Sequence, residues 1–305
     1  MRDVAIGVAL ASSASARSDL ANVVSEPVTT GKLSTSTRLS SRAGGPGRVR
    51  AGHVERLRES LSGRDWAVMH DVARLRLATG KQLERLHFAE LTGASRSVVR
   101  RRVLGRLVYE RVLASLERRI GGVRSGSDGL VYYLDTAGQR LLTTDGPARR
   151  MQPPGERHVR HVLAVAGLFV DLTERARGGG LRLDRFLAEP ASWWPDGRGG
   201  HVKPDGYARV SGSDHFDSWW LETDLSTEHL TTLKRKLAVY VDFYMRGQLG
   251  PDRVMPLVLV TVPDAKRYSE IDRLIHQLPL QAQELFTVAL HNDAAEAIMR
   301  ELNQY

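Results

Sequence analysis

The sequence predicts a two-domain protein of mixed α/β and α+β class. Its N-terminal half is expected to be helical and closed by a short hairpin, and its C-terminal half to alternate strands with helices. Three observations predict this. The 305 residues are enough for about two domains, each with its own core. Hydrophobic residues at 42% and charged residues at 26% match a globular average, which excludes wholesale disorder and fibrous repeats. Apolar residues recur at helical spacing through the first half, and short β-like runs take over from Leu181.

Composition excludes several function classes. With no cysteine, disulfide frameworks, thiolate metal sites and cysteine nucleophiles are out, and a reducing compartment, the cytoplasm, is expected. No apolar run approaches the roughly 20 residues that cross a bilayer, so no membrane partner is expected. Arg2 before the run Val4 to Ala11 and the sequence Ala14-Ser15-Ala16 has the outline of a secretion signal. Asp3 cancels its charge and the run is short, so it is read as no leader. Lys and Arg number 44 against 35 Asp and Glu, a net charge of +9. Between Ser95 and Arg124 nine arginines face two glutamates, so +7 is concentrated there. A basic segment of this kind favours a polyanionic partner.

Residues 1–55, rich in Ala, Ser, Thr, Gly and Arg, lack the apolar surface to offset chain entropy and read as a disordered tail. Ser62 and Asp65 open a helix continued by Trp66, Met69, Val72, Ala73 and Leu77. Thr79 and Gln82 have capping-box spacing and start a short second helix with Leu83 and Leu86 inside. A third helix begins at Ser95, its stripe Val99, Val103 and Leu107 facing inward, Arg101 opposite, and Arg100 and Arg102 at its flanks. Strands over Val112–Glu117 and Leu130–Leu134 then enclose a glycine-rich basic loop, and Thr136 with Gln139 caps a further helix. Two helices, a basic helix and a hairpin make a winged helix-turn-helix over residues 56–145. The third helix would enter the major groove of double-stranded DNA and the wing would touch phosphates. The expected DNA contacts are Arg96, Arg100, Arg101, Arg102, Arg106 and Arg124.

Pro and Gly without an apolar period mark a linker at 146–157. The second domain, 158–305, opens with a helix over His158–Arg177, with Val162, Val165, Ala166, Phe169 and Val170 on one side and three glycines ending it. Strands follow at Leu181–Ala188, Gly206–Val210, Trp219–Leu225 and Met255–Val262, with a helix over Glu228–Tyr244 between the last two and a late strand at Leu285–Leu290. The order αβββαβ implies a sheet covered by helices. Pro204-Asp205 opens one strand. Glu222 and Asp224 share a face of the next by the period of two. If those strands are neighbours, Asp205, Glu222 and Asp224 converge as hard oxygen ligands for Mg²⁺ or Mn²⁺.

This layout resembles the PD-(D/E)XK nucleases, with Pro204-Asp205 as the first half-motif and Glu222-Thr223-Asp224 as the second. Asp224 stands where that pattern has its lysine. The resemblance allows the lysine to come from the following helix. There the stripe Leu230, Leu233, Leu237, Tyr240, Val241, Tyr244 is edged by Lys234 and Lys236 while Arg235 points away, and Lys236 is the choice. The array from Leu61 onward is similar to the replication-relaxation family of plasmids and other mobile elements. The likeness rests on Leu61-Ser-Gly-Arg-Asp-Trp66, Ala78-Thr-Gly-Lys-Gln-Leu83, Arg119-Ile-Gly-Gly122, Val131-Tyr-Tyr-Leu-Asp135, Leu187-Ala-Glu-Pro190, Lys203-Pro-Asp205, Leu221-Glu-Thr-Asp224 and Lys236-Leu-x-x-Tyr240. Leu225-Ser226 departs from its pattern. The resemblance implies a DNA-associated role in element maintenance or transfer and a restriction-endonuclease-like C-terminal domain.

No P-loop, G-x-S-x-G or H-E-x-x-H sequence is present, and the ten histidines form no tight cluster. Of the pairs Trp193-Trp194 and Trp219-Trp220, at least one indole each is expected in the core. Three readings remain. The first is a double-stranded-DNA-binding protein of a mobile element, partnered by a second copy or another element protein. The second is a metal-dependent endonuclease or nickase whose catalytic residues are Asp205, Glu222 and Lys236, with Asp224 as a further ligand. The third is a transcriptional regulator whose C-terminal domain only makes protein contacts.

Overall fold

The computed structural model describes residues 8–10, 41–42, 49–116, 129–143 and 154–303. Two short strands, β1 (Val8–Leu10) and β2 (Ser41–Arg42), and the start of α1 (Ala51–Ser60) fall inside the stretch expected to be a tail. α1 forms there because Val54 and Leu57, three apart, bury one face of it. The chain divides into two compact units, one of residues 33–170 and one of residues 1–32 with 171–305.

In the first unit α2 spans Gly63–Leu75, β3 Ala78–Thr79, α3 Gly80–His87, α4 Gly93–Tyr109, β4 Leu113–Leu116, β5 Val131–Leu134 and α5 Thr136–Leu142. The capping box expected at Thr79 is formed, and the N-cap expected at Ser62 is a second such box. The amide of Ser62 donates to Asp65 Oδ2 at 2.9 Å and the amide of Asp65 to Ser62 Oγ at 3.3 Å. The amide of Thr79 donates to Gln82 Oε1 at 2.9 Å and that of Gln82 to Thr79 Oγ1 at 3.1 Å. The cap of α5 is Asp135, one residue before the Thr136 expected, because its carboxylate accepts from the Thr136 amide at 2.6 Å. The strands form a small antiparallel sheet in the order β2-β4-β5-β3. The inward residues of α4 are Arg100, Leu104 and Leu107, whereas the expected Val99 and Val103 are only half-buried.

α6 (Glu156–Arg177) is one unbroken helix across the division of the chain. Its Val159, Val162 and Leu163 join Leu77, Leu116 and Tyr133 in the core of the first unit. The first half of this helix, assigned by sequence to the C-terminal domain, therefore packs N-terminally; its apolar stripe finds partners on β4 and β5. Gly179, at φ 79°, follows the last turn, as the glycine run predicts.

The second unit is built on a mixed sheet. β6 (Arg182–Ala188) is followed by a hairpin of β7 (Trp194–Pro195) and β8 (His201–Val202), then β9 (Gly206–Ser211), β10 (His215–Thr223), α7 (Leu230–Met245), β11 (Leu257–Val262), α8 (Ala265–Ile275), α9 (Leu280–Gln283), β12 (Phe286–Leu290) and α10 (Ala294–Leu302). The sheet runs β12-β11-β10-β9-β6, with β1 also paired to β10 and β12 at one end. β9 is antiparallel to both of its neighbours, β6 and β10, and β10, β11 and β12 are parallel. One sheet face is covered by α7 and α8, where Trp220, Leu237, Tyr240, Phe243, Val258, Val260 and Ile271 form the core. Among the described residues no helix is long and apolar enough to cross a membrane.

Candidate functional site

β9 and β10 are adjacent, and their register sets Leu221 opposite Gly206. Asp205 therefore enters beside Glu222. Gly206 allows a close approach there: a Cβ would lie 3.2 Å from both Leu187 O and Leu221 Cδ1, so a side chain would need these neighbours to give by a few tenths of an ångström. Asp205 is 5% exposed and its Oδ2 accepts the Thr223 amide at 2.7 Å. Glu222, 2% exposed, points to the face covered by α7, as Trp220 does two residues earlier.

Lys236 and Tyr240 stand one turn apart on α7, so a single helix face presents both to the strands. The Lys236 ammonium contacts Asp205 Oδ1 at 3.2 Å and pairs with Glu222 Oε2. The Tyr240 hydroxyl donates to Glu222 Oε1. Tyr240 is 1% exposed and its ring rests 5.4 Å from Trp220. Burial pushes the Glu222 carboxyl up to about 8; Asp205 adds to this, and Lys236 and Tyr240 oppose it. Burial lowers the Lys236 ammonium, but the two carboxylates outweigh it and hold it above its ordinary value.

The structure thus brings together Asp205, Glu222 and Lys236, the three residues expected to be catalytic. It does not bring in Asp224 as a third metal ligand. Asp224 lies one residue beyond β10, where its amide donates to Thr261 O at 2.9 Å and the period of two no longer aims its side chain. Its carboxylate is paired with buried Arg267 and accepts the Ser226 amide at 2.7 Å. Among the described residues no group of three or more acids or histidines is placed to hold a metal. Asp205 Oδ1 and Glu222 Oε2 nonetheless converge on one point, the Lys236 nitrogen. Two hard carboxylate oxygens are the donor type that Mg²⁺ or Mn²⁺ accepts, so the chemistry of Asp205 and Glu222 fits such an ion, whereas Asp224 is turned to Arg267.

In the first unit the expected DNA contacts separate into distinct roles. Arg101 and Arg102 lie on the exposed face of α4, together with Val98 and Tyr109. Arg96 donates to Phe88 O at 3.0 Å and Ala89 O at 2.8 Å, tying α4 to the end of α3. Arg100 is 2% exposed and meets Glu84 at 3.3 Å, so it is turned into the protein rather than outward. Arg106 is half-exposed and pairs with Asp65. Burial raises the Asp65 carboxyl, but its hydrogen bonds from Arg106 and Ser62 prevail and hold it below the usual range. Arg124 lies outside the described residues.

Tyr240 was absent from the sequence-predicted site, although its spacing of four from Lys236 was the available signal. Both indoles of Trp219-Trp220 are fully buried, while Trp193 carries the Lys203 ammonium 4.5 Å above its ring. The pattern of the family described as replication-relaxation matches residues 69–258. Comparisons with curated proteins and with solved structures give no match.

Proposed function

The chain belongs to the replication-relaxation family, and from that premise we propose that it is a double-stranded-DNA-binding protein acting in the replication or relaxation of a plasmid or other mobile element. The observation that carries this is the exposed face of α4. Arg101 and Arg102 stand on it with no carboxylate partner among the described residues, and α3 and α4 follow one another as a helix-turn-helix pair with β4 and β5 behind. In this reading α4 occupies the major groove, and both guanidiniums reach bases or phosphates.

A second reading, a metal-dependent nickase of the PD-(D/E)XK type, is favoured by the convergence of Asp205, Glu222 and Lys236 from two adjacent strands and the following helix. Asp205 and Glu222 would hold Mg²⁺ or Mn²⁺, which supplies a polarised water and neutralises phosphodiester charge. Lys236 would supply a positive charge at the scissile phosphate, and Tyr240 keeps Glu222 in place. Supercoiled plasmid incubated with Mg²⁺, Mn²⁺ or EDTA, beside an Asp205→Ala/Glu222→Ala variant, tests both readings. Nicking that needs metal and is lost in the variant establishes the second. Retardation without nicking leaves the first alone, and neither effect refutes both.

A further inference from the structure

The ammonium of Lys236 occupies the point at which Asp205 Oδ1 and Glu222 Oε2 meet, which is where a divalent cation bridging these acids would sit. The two carboxylates are pinned by other donors. Asp205 Oδ2 is held by the Thr223 amide at 2.7 Å and Glu222 Oε1 by the hydroxyl of Tyr240, itself locked against Trp220. Both acids are nearly inaccessible, whereas the Lys236 side chain is 33% exposed on a flexible four-carbon stem. Of the three groups, the lysine is the one whose side chain reaches solvent. An anion at that opening would draw the ammonium outward, and a DNA phosphate is the anion that the proposed function brings to this site.

We propose that Lys236 is a displaceable internal cation that couples metal binding to DNA binding. Without DNA it fills the divalent-cation position, and a phosphate draws it out and opens the two acids. The inference rests on the nickase reading. It requires that DNA and metal each strengthen the other's binding by the same factor, because such coupling is reciprocal.

Mn²⁺ affinity of the full chain, read by the electron paramagnetic resonance of the free ion, tests it with and without a short duplex. An Asp205→Asn/Glu222→Gln variant measures the ions held by the duplex itself. The wild type alone is expected to bind Mn²⁺ at least about tenfold more weakly than Lys236→Met. The duplex is expected to tighten the wild type by a similar factor and to leave Lys236→Met unchanged. Equal affinities of wild type and Lys236→Met, or a wild-type affinity indifferent to duplex, overturn the proposal. If Lys236→Met proves unfolded by circular dichroism, the wild-type comparison with and without duplex decides alone. Absence of Mn²⁺ binding in every arm, Lys236→Met included, refutes the nickase reading itself and is distinct from loss of coupling in a protein that binds metal.

Discussion

Replacing Asp217 by asparagine should make the second unit more stable at neutral pH. Asp217 lies on β10, is 1% exposed, and neither carboxylate oxygen has a hydrogen-bond partner among the described residues. Burial pushes its carboxyl from 3.8 up to about 6, with His215 opposing the shift and Glu301 adding to it. The folded state therefore holds this proton more tightly than the unfolded chain does. Below the unfolded value the acid is neutral in both states and no charge is buried. Stability is lost as pH rises through the interval up to about 6, and above it the full cost is present. A shift of roughly two units at about 1.4 kcal/mol each gives about 2–3 kcal/mol. Asparagine keeps the shape and an unsatisfied amide, which cost a similar amount at every pH, so the charge alone makes the difference vary. Urea unfolding followed by circular dichroism at about pH 4 and about pH 7.5 is the assay. The stability of Asp217→Asn relative to wild type should rise by about 2–3 kcal/mol between the two. A difference that does not change with pH, or that falls, would refute the argument and mean that the carboxylate is solvated or paired.

The arginines of α4 should divide by function. Arg101→Ala and Arg102→Ala should each lower the slope of log affinity for DNA against log salt by about 0.9 if they meet phosphates, with unfolding unaffected; fluorescence anisotropy across a salt series checks this. Arg100→Ala should instead destabilise the first unit by about 3 kcal/mol, since it strands Glu84 and empties a buried position, and thermal unfolding reads it out. Thr79→Ala removes an N-cap bond from α3 and should cost about 1 kcal/mol in the same melt.

Much of the fold was legible because its signals are local. Ser62 with Asp65 and Thr79 with Gln82 lie three residues apart, and the alternation through Glu222 reports the face of a strand without reference to anything distant. The meeting of Asp205 with Glu222 could be read because two short strands in succession tend to pair, and Lys236 because a helix stripe has a computable edge. What escaped depends on partners remote in the chain. Arg100 looked like one more surface charge until Glu84, on another helix, took it inward. Asp224 met Arg267, which lies 43 residues further on, and no period links them. The two halves of α6 carry one continuous apolar stripe, so nothing local reveals that its first half joins the core built by β4 and β5.

The end strand β12 has a consequence for how the protein behaves when it is not folded. Phe286-Thr-Val-Ala-Leu290 has no charged side chain, and its outer edge has no strand beside it among the described residues. Sequences of this kind are templates for cross-chain association during refolding. Exposed Glu284 before it and Asp293 after it bracket the segment with negative charge. These two acids touch nothing in the candidate site, yet they would act as gatekeepers against aggregation, setting how much of the chain survives denaturation and return.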